Sequence, residues 1–193
     1  MPDVEMTLGL PRPEIEIAQT CADEMSDDAR LVAAIIRSDE EAFRRLHRKY
    51  APLVHGILMA RMPYDEVADV VQDVFLAAFK GIRSLRDPDA VGPWSVSLAR
   101  NHAAGFYRSR RVTEELPEEI LGRHSGHAEA TEVMMAIRSL PDAYSETLTL
   151  RLVEGMTGDE IAQLTGLSPG SVRVNLHRGM EMLRRSLGIK VRK

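Results

Sequence analysis

Arg173, Val174, His177 and Arg178 fall together on one side of any helix drawn through 169–186. Their chemistry is recognition rather than bond making. An arginine offers a fixed fork of donors that fits a guanine edge or a phosphate, and a small apolar group fits a thymine methyl. Val172, Leu176, Gly179 and Leu183 form an apolar stripe on the opposite side. Upstream, Thr157 with Glu160 spells a capping box, and Gly166 is a helix stop with Leu167 placed to plug the corner. Ser168 and Pro169 then cap and open the next helix. The pattern is a helix-turn-helix whose second, basic helix enters a DNA major groove. A plain helical hairpin would show the same stripe. It would not need the charge that follows: from Arg173 to Lys193 there are seven Arg or Lys and one acid, Glu181.

A second set lies at 90–113, which contains no acid. Here Trp94 and Phe106 interleave with Arg100, Arg108, Arg110 and Arg111 behind a loop rich in Pro and Gly. Rings on which bases stack, beside arginines that meet phosphates, suit a single strand of nucleic acid. Trp94 taken alone fits a core residue better than a stacking platform. A third set, Asp65, Glu66, Asp69, Gln72 and Asp73, makes an acidic face opposite Val67, Val70, Val71, Val74, Phe75, Ala78 and Phe79. Asp69 and Asp73 are helix neighbours in no apolar setting, so a solvated face is expected rather than acid–base catalysis. The sequence has no Gly-rich phosphate loop and no nucleophile elbow. His124 and His127 have ligand-like spacing but no Cys or acidic partner close by, so no metal, other cofactor or small-molecule substrate is expected.

Helices must position these sets. Leu31, Val32, Ile35 and Ile36 predict a short one, and Ser38 with Glu41 a capping box for a long one. That long helix turns Phe43, Leu46, Tyr50, Leu53, Val54, Ile57 and Leu58 inward and carries Pro52 as a possible kink. Pro63 precedes a third helix over 64–81, residues 82–93 read as a loop, and a fourth helix spans 94–110. Glu114, Glu115, Pro117, Glu118, Glu119, Gly122 and Gly126 mark a linker. Helices over 129–139 and 141–153 then lead into the helix-turn-helix.

The formal charge of −4 conceals an asymmetry. Residues 1–28 hold eight acids and one Arg, which leaves 21 acids against 24 bases of the 29 and 25 in the whole chain. The body is mildly basic behind an acidic tail that is expected to lack stable structure and could compete with DNA for the basic faces. One cysteine, Cys21, allows no internal disulfide and fits a reducing cytoplasm. There is no membrane-length apolar run, and no signal-peptide pattern at the start.

VADVVQDVFLAAF at 67–79, PWSVSLARNHAAGFYRSRR at 93–111 and the stretch 139–185 together resemble bacterial RNA polymerase sigma factors of the small extracytoplasmic-function (ECF) group. The likeness runs from about Asp27 to Leu187. It implies an all-α protein of two small helical domains joined by a flexible linker: a tail at 1–26, region 2 at 27–111, the linker at 112–128 and region 4 at 129–193. By position, Asp69, Gln72 and Asp73 fall in the helix that docks on core RNA polymerase. The loop 85–93 and Asn101 fall where a flipped base of the minus-ten element is held, with Trp94, Arg100, Arg108 and Arg110 around it. Arg151, Ser171, Arg173, Val174, His177 and Arg178 fall on the side that reads the minus-thirty-five duplex. The implied partners are core RNA polymerase, promoter DNA and an anti-sigma factor, in the cytoplasm. Ala68, Ser97, Gly105, Asn175 and Met180 depart from the family's usual residues, and each removes charge or a polar contact. A free-standing helix-turn-helix regulator with an N-terminal sensor or dimerisation module is the rival, and residues 67–111 discriminate. A sensor has no need of an acidic, Gln-bearing helix followed by one with arginines and aromatics.

Overall fold

A computed structural model describes residues 25–113 and 128–189. Its regular elements are helical throughout: α1 Asp27–Ile36, α2 Glu40–Met59, α3 Tyr64–Gly81, α4 Val91–Thr113, α5 Ala128–Arg138, α6 Asp142–Leu152, α7 Gly158–Thr165 and α8 Pro169–Ser186. The acidic tail, the span 114–127 with His124 and His127, and the last four residues lie outside the described residues. No helix among those described is long and apolar enough to cross a membrane.

Local signals set most boundaries. Ser26 caps α1 by accepting from the Ala29 amide at 3.0 Å, with Asp27 and Asp28 in the first turn where the helix dipole favours acids. The cap of α2 differs from the expectation. Asp39, not Ser38, takes the position, and its Oδ1 accepts from the amides of Glu41 and Ala42 at 2.9 and 3.1 Å. Ser38 instead makes the turn, with a left-handed φ of 69°. Pro52 sits exposed inside α2 and does not end it. The segment read as a loop at 82–93 is two single 3₁₀ turns, Ile82–Ser84 and Pro88–Ala90, and α4 starts at Val91. Phe79, expected inward, is half exposed and meets Phe43 edge-on at 5.0 Å between ring centres.

The first four helices pack around Leu46, Leu53, Val54, Ile57, Val74 and Ala99, all buried. Tyr50 ties α1 to this centre. Its hydroxyl donates to Asp28 Oδ2 at 2.7 Å while Lys49 Nζ donates to Oδ1 at 2.6 Å. Burial, then the Asp28 carboxylate, holds the phenol well above its ordinary pKa.

The same apolar cluster continues into the C-terminal helices through Leu150, Met156, Ile161, Ala162 and Val172. A smaller cluster of Ile137, Leu140, Leu148 and Leu183 closes the far side of α6. The two halves therefore meet face to face. Gly56 on α2 makes the approach possible, because a Cβ there would stand 2.7 Å from the Leu150 side chain of α6.

Candidate nucleic-acid interface

The helix-turn-helix forms from the local chemistry that its sequence spells. Thr157 Oγ1 accepts from the Glu160 amide at 3.2 Å, and the Thr157 amide donates to Glu160 Oε2 at 2.7 Å. The Thr157 amide and the Thr157 hydroxyl, which donates to Glu160 Oε2 at 2.8 Å, hold the Glu160 carboxyl below the usual carboxylate range. A depressed carboxyl stabilises above its ordinary pKa, and the contribution fades as pH falls through the folded value. Thr157→Ala should cost about 1 kcal/mol of stability, read as a lower urea midpoint at neutral pH, with a smaller deficit in acid. An unchanged midpoint would show that the capping box contributes nothing.

Gly166 ends α7 with φ 74°, a left-handed backbone that strains any other side chain, and it lies against the Pro93 ring of α4. Leu167, expected to fill the corner, is 39% exposed instead. Ser168 caps α8 by accepting from the Ser171 amide at 3.1 Å, and the two hydroxyls are 2.8 Å apart. Val172, Gly179 and Leu183 are buried and Leu176 half-buried, so the predicted stripe faces inward. Gly179 lets α8 settle on Leu148 and Tyr144 of α6.

Ser171, Arg173, Val174, His177 and Arg178 all face solvent on α8. Arg151 is exposed at the end of α6, but its Nη1 donates to the Met156 carbonyl at 2.9 Å. That bond ties down the turn into α7. Asn175 is drawn inward, with Nδ2 3.5 Å from Thr147 Oγ1.

On α4, Trp94, Asn101 and Arg108 recur every seventh residue and share one face. Asn101 and Arg108 are exposed. Trp94 is half-buried, with its ring edge 3.4 Å from where a Cβ on Gly81 would stand. Arg100, one residue from Asn101, points elsewhere. Its Nε and Nη2 donate to Glu146 of α6 at 3.0 and 2.5 Å, and this pairing raises its pKa. The side chain of Arg110 lies outside the described residues.

Asp69, Gln72 and Asp73 lie exposed along α3. Leu76 extends their row one turn further and is 52% exposed. Reading the sequence missed Leu76, although an apolar residue off the α3 stripe was the available signal. It also missed Glu146, which stands between Ser145 and Thr147 just before Leu148.

Two family models match the chain: Sigma-70 region 2 over residues 46–113 and Sigma-70, region 4, over residues 130–183. The RNA polymerase sigma-H factor of Pseudomonas aeruginosa is 30% identical over 184 residues, which cover 83% of this chain and 93% of that protein. This chain belongs to the sigma-70 family. Sigma factors named as ECF are among its relatives. The ECF RNA polymerase sigma-E factor of Haemophilus influenzae is 28% identical, over 84% of this chain and 95% of its own length. Two solved structures share the fold: CnrH in complex with the cytosolic domain of CnrY, with a TM-score of 0.60 and 24% identity over 86% of this chain and all of that one, and the sigma factor RpoE in complex with the anti-sigma factor NepR from Bartonella quintana, with a TM-score of 0.56 and 17% identity over 79% of this chain and all of that one. The region 2 match covers α3 and α4, the segment that separates a sigma factor from a free-standing regulator. Region 4 contains the helix-turn-helix.

Proposed function

We propose that this ECF sigma factor binds core RNA polymerase through α3, captures the opened minus-ten strand on α4, and reads the minus-thirty-five duplex with α8. The chain performs no chemistry of its own in this reading; the polymerase does. Region 2 occupies 27–111 and region 4 occupies 129–193, with 112–128 as the connection and 1–26 as an acidic tail. One observation carries the reading: three exposed polar faces of different character sit on the helices that the two sigma regions supply. The α3 face is acidic with an amide and Leu76, which suits a basic helical partner with an apolar spot. The α4 face offers the Asn101 amide between Trp94 and Arg108, and the α8 face offers arginines beside Val174. An anti-sigma factor is the expected regulator, because the fold is shared with the sigma factor RpoE solved in complex with the anti-sigma factor NepR, and the cytoplasm is the expected location.

Transcription in vitro by purified core polymerase, with and without this chain, tests the function directly. Promoter-dependent transcripts should appear only with it. Transcription unaffected by the chain would leave a duplex-binding regulator as the reading. For the docking face, Gln72→Ala combined with Asp73→Lys should weaken core binding in a pull-down titration. Both positions are exposed, so stability should change by less than about 0.5 kcal/mol. Unchanged affinity for core would remove α3 from the docking role.

A further inference from the structure

The outward side of α8 carries two polar flanks with one apolar residue between them. A helix turns about 100° per residue, so with Val172, Gly179 and Leu183 buried, Val174 points most directly away from the domain. Arg173 and His177 lie to one side of it, Ser171 and Arg178 to the other, and all five are exposed. Glu181 stands two turns further along the same line. Between Gly170 and Ser186, Val174 is the only apolar side chain that stands exposed, at 45%.

Valine is a poor choice for such a place unless something covers it. A β-branched side chain gives up rotamer freedom in a helix and ranks below alanine and the long polar residues as a helix former. Val172, on the other side, recovers that loss by packing, whereas Val174 leaves nearly half its surface in water. The same stiffness holds its two methyl groups in one direction, which suits an apolar contact made on docking.

The neighbouring amide is withdrawn. Asparagine and glutamine are the side chains that pair with an adenine edge, and Asn175 is the only amide on α8. Its Nδ2 lies 3.5 Å from Oγ1 of Thr147, a buried residue of α6, so it is turned toward region 4 itself. An A·T pair met by this face is then read from the thymine side, where the 5-methyl group marks it in the major groove.

We infer that Val174 is a specificity-determining residue of α8, and that the group it reads is the 5-methyl of a thymine, with an arginine on each flank. This rests on the reading of α8 as the minus-thirty-five helix and names the chemical group that helix recognises. Val174 lies in the second turn of α8, within the N-terminal part that comes nearest to base edges. Its contact is uncharged, so it contributes to the choice of sequence and not to the salt-dependent attraction that arginines supply.

The test uses holoenzyme assembled from the full chain and purified core polymerase. A fluorescent duplex is enriched from a library randomised across the minus-thirty-five position. Each of its thymines is then replaced singly by deoxyuridine, which pairs identically and lacks only the methyl. One replacement should weaken binding by the wild type about fourfold, the effect of one buried methyl. Holoenzyme carrying Val174→Ala, at an exposed position where alanine favours the helix, should bind the two duplexes alike and keep the wild-type salt slope. No penalty at any thymine, or the same penalty in Val174→Ala, overturns the assignment and leaves α8 as the duplex reader. A salt slope lowered by about one also overturns it, because the loss then belongs to a phosphate contact. If no sequence is enriched over the unselected library, the minus-thirty-five reading of α8 falls, and the role of Val174 with it.

Discussion

Replacing Asn101 with alanine is expected to reduce open-complex formation by about tenfold or more, with holoenzyme assembly and minus-thirty-five binding near normal. Melting needs a holder that binds the opened strand better than the closed duplex; equal affinity for both shifts no equilibrium. Asn101 suits that role by chemistry and position. Its amide has both donor and acceptor capacity, it is exposed, and it lies one face of α4 away from the Glu146 carboxylate that engages Arg100. Trp94 stands two turns before it and Arg108 two turns after, so a base edge, a ring and a phosphate partner share one stripe. Extruding a base costs a few kcal/mol, and one lost amide contact removes roughly 1–2 kcal/mol of the return. Permanganate footprinting of unpaired thymines reads the result. On a template carrying a pre-melted bubble the defect should vanish if Asn101 acts in melting, and persist if it acts in holding the strand. Normal opening on the duplex template would sink the base-capture role.

The elements that the sequence made legible are those fixed by neighbours within one turn. Thr157 with Glu160, Gly166, and Ser168 with Pro169 each stand where their local chemistry put them, because a cap or a left-handed stop depends on residues three or four apart. The α8 stripe was legible for the same reason: burial on one face follows from helical period. Ser38 failed where two cap residues stand side by side. Asp39 took the cap once Ser38 was drawn into the left-handed turn between α1 and α2. Residue type at Leu167, and residue type with helical period at Phe79, point inward, whereas exposure depends on what the fold brings opposite them. Least legible was the contact between the regions. Glu146 accepts from Arg61, 85 residues away, and from Arg100, 46 away, and no periodicity links them. Arg100 therefore read as a phosphate ligand, and the structure gives it a carboxylate. Gly56 carried no signal either, since its role is to have no side chain where α6 crosses.

Arg173→Ala should weaken minus-thirty-five duplex binding, and the form of the loss tells which contact was removed. Arg173 lies in the second turn of α8, exposed, with His177 one turn further along the same face. The N-terminal part of a recognition helix approaches base edges most closely. A bidentate grip on a guanine would make the loss about 1–3 kcal/mol and confine the relaxed specificity to one base pair. A phosphate contact would instead weaken every sequence alike and lower the salt slope by about one. Arg178→Ala, on the next turn, should fall in the second class if Arg173 falls in the first, because one helix cannot turn both residues to the same base step. The measurement belongs in the assembled holoenzyme, over a range of salt and on a panel of single-base variants, since the closed free chain need not present α8 as the promoter meets it. Stability is not a confounder, because both arginines are solvent-facing and make no ion pair among the described residues. If Arg173→Ala changes neither affinity nor salt slope, α8 is not the duplex reader and the exposed stripe of Arg173, Val174, His177 and Arg178 serves another partner.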